Sequence, residues 1–433
     1  MRRTILSITT GLMTGFLALG VAWATAGLTP QSTSAAPQPK KTKTPSPTPT
    51  PSPTASPSPT RVEFPPGRLP GGVFKVGAVD TSIAPIPVSE GGKWNAHGAD
   101  HDCGPIGYEY LPDSDPSCLR SFDRVWATGV DQTHDLGIFA RTMAISNGED
   151  TLVFVVLDTV SWFYGYDPSI CPHDPDALQP QDTCGTRAIT LDLSHKLGIP
   201  VENFVIASTH THASADTTAR GPSWYYEYVR DQIKESVTEA VGSMEYAELE
   251  TGSIPAKAFN IDRRRVTRAV PDSELGWLRA VSLNDPGKTI STLVNFSAHT
   301  TVTAGNADMH SGFIGHLSKR LNELWGGTTV FMPGGLGDQT VERSLGRDGI
   351  GYGLANYVYE SAKQSAYTLE SNEIVAKQKI VTIPADNVSL VAMNKAGIFM
   401  RDSTVPGPHA QDLRKACSKW GVGAPPAVWE RAP

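Results

Sequence analysis

Short apolar runs alternate with longer amphipathic stretches through the middle of this chain. "TLVFVVLD" (151–158), "NFVIAS" (203–208), "TISTLVNFSA" (289–298) and "TTVFMP" (328–333) are brief and β-compatible, and several are apolar throughout, which predicts strands buried on both faces. Between them, "GTRAITLDLSHKLG" (185–198), "SWYYEYVRDQIKESVTEAVGSM" (223–244) and "GFIGHLSKRLNELW" (312–325) place apolar residues at helical spacing. This alternation predicts an α/β fold: a mixed, largely parallel sheet layered with helices, its ligand site at the C-terminal ends of the strands.

The pattern changes at both ends. In residues 1–28, "MRRT" precedes an uncharged apolar stretch from Ile5 to Leu28, which reads as an export signal peptide or an uncleaved signal anchor. Residues 29–70 form a Pro/Ser/Thr-rich stalk with almost nothing apolar to bury. Residues 71–401 are expected to make the folded domain, and residues 402–433, rich in Pro, Gly and Ala, a poorly packed tail and a candidate truncation point. The expected location is secreted or extracytoplasmic, associated with the cell envelope by bacterial-type export, with the N-terminal segment as a candidate membrane tether.

The net charge of -7 over 433 residues is mild. The basic cluster "DRRRVTR" (262–268) reads as a solvated or ion-paired loop, so nucleic acid is not an expected partner. Of the five cysteines, Cys103 with Cys118 and Cys171 with Cys184 are expected to form local bridges, although four cysteines allow three connectivities, and Cys417 is left over.

Candidate chemistry collects after the apolar runs. In "VIASTHTHASAD" (205–216), His210 and His212 are two residues apart, and in an extended chain such side chains share a face. Asp158 follows "FVVL", His299 follows "LVNFSA", and the glycine-rich "GGLGDQT" (334–340) follows "VFMP". Imidazoles converging with carboxylates outside the cytosol suit a divalent metal, most often zinc, whose bound water has a pKa near about 7 in catalytic sites. No "HExxH" and no "GxSxG" occurs, so neither a zincin nor a serine α/β-hydrolase is supported.

"VGAVDTSIAP" (76–85), "THDLGIFARTMAI" (133–145), "VVLDTVSW" (155–162), "STHTHASAD" (208–216), "NIDRRR" (260–265), "LVNFSAHTTV" (293–302) and "FMPGGLGDQT" (331–340) resemble, in the same order, motifs of the neutral/alkaline non-lysosomal ceramidase family. Its members are secreted or surface-exposed zinc amidases that cleave ceramide into sphingosine and a fatty acid. The resemblance implies Zn2+ on His210 and His299, with His212 a neighbour that orients substrate or assists proton transfer. It matches His134 and Asp135 to the family's "HD", leaving Asp158 as a further candidate, and gives Asp338 and Thr340 catalytic places in the glycine-rich loop. Backbone amides at Gly335 and Gly337 are candidates for binding an oxyanion.

Two departures accompany it. Where the family has serine before proline, this chain has Thr340 followed by Val341, and the glutamate and tyrosine that complete the family's zinc shell have no convincing counterpart before Pro433. The expected function is an exported zinc-dependent hydrolase of an amide or ester bond, acting on a lipid or N-acyl small molecule. The alternative is a catalytically inactive envelope protein that keeps the fold and binds a lipid or glycan.

Overall fold

The computed structural model describes residues 62–95, 117–121, 127, 129–131, 136–166, 170–171, 174, 177–179, 182–218, 221–264, 270–301 and 308–378. Residues 1–28, most of the stalk, the tail from 402, and Cys103, His134, Asp135 and Cys417 lie outside them. In chain order the elements are β1 (Phe74–Ser82), β2 (Gly129–Val130), β3 (Phe139–Ser146), β4 (Thr151–Leu157), α1 (Thr186–Leu197), β5 (Phe204–Ser208), α2 (Ser223–Gly242), β6 (Glu245–Pro255) and β7 (Asn260–Asp262). There follow β8 (Glu274–Ser282), β9 (Thr289–Phe296), β10 (Asp308–Met309), α3 (Phe313–Trp325), β11 (Thr328–Pro333), β12 (Gln339–Val341), α4 (Gly346–Ser365) and β13 (Tyr367–Thr368).

The layering is α/β, as the alternation predicts, and the main sheet is mixed, in the order β11-β9-β8-β6-β1-β3-β4-β5 with β13 on β6. Its parallel pairs are β4 with β5 and β9 with β11, the four strands whose apolar runs stand out in the sequence. Between these flanks the pairing is antiparallel. Short connections impose this: β3 turns into β4 through Asn147, whose side-chain oxygen accepts from the amides of Glu149 and Asp150, and such a tight turn joins only antiparallel neighbours.

The two halves of the sheet meet in a short seam. β1 and β6 share only the pairs Phe74↔Ala247, Lys75↔Tyr246 and Val76↔Glu245. Beyond the seam the sheet folds over itself, so that β11 packs against β3, β4 and β5. Neighbouring strands lie about 4.8 Å apart, so a strand that touches three of them crosses them obliquely. Val76, Met143, Ile145, Val156, Leu249, Ala280 and Val330 fill the space between the halves.

Helices close the outer faces. Ile189, Tyr225, Val229 and Ile233 of α1 and α2 pack on Val153, Val155 and Leu157, while Phe313, Leu317 and Leu354 of α3 and α4 pack on Phe296 and Phe331. The result is four layers, helix, sheet, sheet, helix. Each fully buried large side chain contributes about 1.5–3 kcal/mol.

This folding brings the ends of β5 and β9, from opposite halves, to one corner. There the Thr300 hydroxyl donates to the Thr209 carbonyl at 2.8 Å and the Thr211 hydroxyl to the His310 carbonyl at 3.1 Å. Cys171 and Cys184 are bridged as expected, with 5.9 Å between their Cα atoms. Cys118 is also disulfide-bonded, while its expected partner lies outside the described residues. No helix among the described residues is long and apolar enough to cross a membrane.

Candidate metal centre

β4 and β5 run parallel and leave the sheet at the same edge. The Thr209 amide still donates to the Leu157 carbonyl at 2.8 Å, and the His210 amide to the Thr159 carbonyl at 3.0 Å. At His210 the chain turns: its φ of 61° makes it the one non-glycine residue with left-handed backbone among those described. Such a conformation costs about 1–2 kcal/mol, and histidine tolerates it better than most residues. The His210 ring helps to fix the turn, since its Nδ1 lies 2.6 Å from the Val160 carbonyl. His210 and His212 therefore approach one another around a bend, where an extended strand was expected.

His299 comes from the other half of the sheet. Its amide donates to the Gln339 carbonyl at 3.1 Å, and it forms a β-bridge with Thr340. Its Nδ1 lies 3.0 Å from the Leu336 carbonyl in the glycine-rich loop. The loop can come this close because residue 334 is glycine: a Cβ there would lie 2.3 Å from Ser297 Oγ.

These two contacts decide the tautomers. A carbonyl only accepts, so Nδ1 of both His210 and His299 carries the proton and Nε2 presents a bare lone pair. Burial lowers the pKa of His210 and takes that of His299 down to about 4, with Arg263 and the neighbouring imidazoles acting in the same direction. Both rings are neutral at pH 7. His212 completes the group, its Nε2 3.2 Å from the Nε2 of His299, and the donor nitrogens of the three rings all lie within 4.8 Å of one another.

The other sequence candidates take different places. Asp158 is fully buried but faces an ion cluster: its Oδ2 accepts from the Phe139 amide at 3.1 Å and lies 3.5 Å from Arg141 Nε, while Arg141 also pairs with Asp80 at 3.4 Å. Burial pushes the Asp158 carboxyl up to about 6, against the pull of Arg141. Asp338 pairs with Arg264 at 3.2 Å, half in solvent. Neither carboxylate belongs to the histidine group. Thr340 is buried beside His299, its hydroxyl 3.4 Å from that of Thr301. Gly335 and Gly337 flank Leu336, whose carbonyl holds His299.

Sequence reasoning missed Arg263. Within the basic cluster Arg264 is ion-paired as expected, with Asp262 and Asp338. Arg263 instead donates from Nε and an Nη to the Gly337 carbonyl, at 2.9 and 2.6 Å, and its charge bears on His210 and His299. Only its place in "NIDRRR" hinted at this. His310 was also missed: it lies behind the "HTH" turn, its Nδ1 accepts from the Gly312 amide, and burial lowers its pKa to about 4.

The fold has counterparts of known structure. Neutral ceramidase from Pseudomonas aeruginosa matches with a TM-score of 0.50 at 17% identity, over 69% of this chain and 45% of that one. A ceramidase complexed with C2 matches with a TM-score of 0.49 at 16% identity, over 68% and 44% of the respective chains. At 17% identity the first likeness shows the fold alone, and this chain spans less than half the length of the ceramidases it matches. No protein-family model and no curated protein matches the chain in sequence.

Proposed function

We propose that the protein is an exported zinc-dependent hydrolase of amide or ester bonds, acting on a ceramide-like, N-acyl lipid. One observation carries the reading. His210 and His299 each give the Nδ1 proton to a backbone carbonyl, which leaves Nε2 the bare donor, and their ring centroids stand 4.4 Å apart, as metal-binding histidines are held. Neutral nitrogen donors of this kind suit zinc. When bound, the ion would polarise a carbonyl and lower the pKa of a water.

The chain's own residues do the rest. Burial keeps both imidazoles unprotonated at neutral pH and ready to serve as ligands. Arg263, fixed on the Gly337 carbonyl, adds positive charge beside the centre, where a tetrahedral oxyanion would develop. Gly335 and Gly337 flank Leu336, the His299 anchor, and their amides are the candidate oxyanion donors, while Thr340 positions His299 through the β-bridge. Asp338, by pairing with Arg264, leaves Arg263 to face the histidines. The likeness of fold to neutral ceramidase and the shared motifs favour an N-acyl sphingoid substrate. The Cys171–Cys184 bridge favours an oxidising compartment.

The test is metal content together with turnover. Purified protein supplied with zinc should hold about one ion per chain and release fatty acid from a short-chain fluorescent ceramide, and His299→Ala should lose both. Protein that holds no zinc and releases no fatty acid, yet binds ceramide-bearing vesicles, would be the inactive lipid-binding alternative.

A further inference from the structure

We infer that His212 is a third metal ligand, so that the centre is held by three imidazoles from two halves of one sheet. This rests on the zinc reading above and departs from the neighbouring, non-ligating role that the family resemblance implies for His212. Two ligands of a tetrahedral zinc, each about 2.0–2.1 Å from the ion, stand about 3.3 Å apart. The Nε2 atoms of His212 and His299 are 3.2 Å apart.

Proton counting sharpens the point. His299 has its proton on Nδ1, given to Leu336, so its Nε2 has only a lone pair. The contact with His212 Nε2 is then one of two things. Either His212 donates an N–H to His299, or both nitrogens present lone pairs to a common cation. The first arrangement uses up the lone pair that His299 needs for a metal. His299 can bind zinc only if His212 gives up that hydrogen bond, by joining the ion through a bare Nε2 or by moving away.

The backbone favours joining. Two ligands from one short loop would be strained on an extended chain, but the left-handed turn at His210 swings the two rings toward one point. Three imidazoles leave one tetrahedral position for water, as catalytic zinc sites do.

The experiment uses the full chain with 15N-labelled histidines and zinc alone. Two-bond proton–nitrogen spectra assign the protonation of each ring nitrogen before and after the metal is added. Zinc should shift three Nε2 resonances, with His212 Nε2 bare and its proton on Nδ1. His212→Ala, checked for folding by circular dichroism, should weaken zinc binding by more than about 100-fold, as much as His210→Ala and beyond the roughly 10–100-fold effect of an outer partner. Zinc bound through two imidazoles, with His212 Nε2 still protonated, overturns this inference and leaves the hydrolase reading standing. Wild-type protein that binds no zinc overturns both.

Discussion

Two polar clusters grow from the same edge of β4 and β5, and they are built in opposite ways. In the histidine group, the Nδ1 protons of two rings go to backbone carbonyls, Val160 and Leu336, which leaves an Nε2 lone pair on each ring, that of His299 facing His212. In the second cluster, Asp80 and Arg141 face each other across the β1–β3 register and Asp158 closes on Arg141 from β4, so charge is satisfied by charge. The first presents lone pairs to a ligand, and in the second both carboxylates face one guanidinium. A polar residue after an apolar strand therefore marks a site only when its neighbours leave it valence to spare.

That contrast can be broken by mutation. The largest effect is expected from His299→Ala, which should lower kcat/KM by at least about 1,000-fold, ~4 kcal/mol on the barrier, while urea unfolding of the metal-free protein changes little. An equal loss of metal-free stability would place His299 among the structural residues instead. Arg141→Met should do the reverse, leaving the buried Asp158 and the partly buried Asp80 without their cation and removing about 3–5 kcal/mol of stability. A folded Arg141→Met protein should still bind zinc, and failure to do so would join the two clusters into one.

A smaller effect is expected from pH on the metal-free protein. His299 and His310, both held at about 4 against 6.5 by burial, bind fewer protons folded than unfolded between those values, so stability falls as pH drops from about 6.5 to about 4. Asp158, raised from 3.8 to about 6, works the other way, because the folded state keeps a proton there that the unfolded state releases. His210 and His316, also lowered by burial, act in the same direction as His299 and His310, and four imidazoles against one carboxyl should leave a net loss of at least about 1–3 kcal/mol on acidification, measurable by urea midpoints. Asp158→Asn should steepen it, and a flat profile would mean that the two clusters cancel. Arg263→Gln should have the smallest effect. The His210 and His299 rings both stay neutral at pH 7 without it, so what is lost is a cation that would repel the ion, and a zinc titration should show affinity rising by about 2–5-fold, the scale of exposed charges; unchanged affinity would mean that Arg263 is screened from the centre.

The strands that carry the site were the most legible part of the sequence, and for a physical reason. β4, β5, β9 and β11 lie between a helix layer and a second sheet, so both faces select apolar residues and the runs stand out. β6 is harder to see because "EYAELETGSIP" buries fewer than half of its side chains. α4 was hidden by its glycines, which read as turns. One of them, Gly351, lets α4 press onto α3: a Cβ there would lie 2.4 Å from the Phe313 carbonyl oxygen. His210 and His299 could be named from their motifs, but the bend at His210 could not, because a left-handed φ at histidine leaves no mark in composition. That bend is what brings His212 close to His299.

The narrow seam between the halves also sets an order of events while the chain is made. His210 and His212 belong to the half that is synthesised first, and His299 follows 89 residues after His210. At about 5–20 residues per second, that is an interval on the order of 5–20 s. During it the "HTH" turn has neither the Leu336 carbonyl nor the His299 ring to complete it. A metal held by both His210 and His299 would thus be a latecomer to a corner already joined, and its occupancy would report that both halves of a nascent molecule have reached their final places.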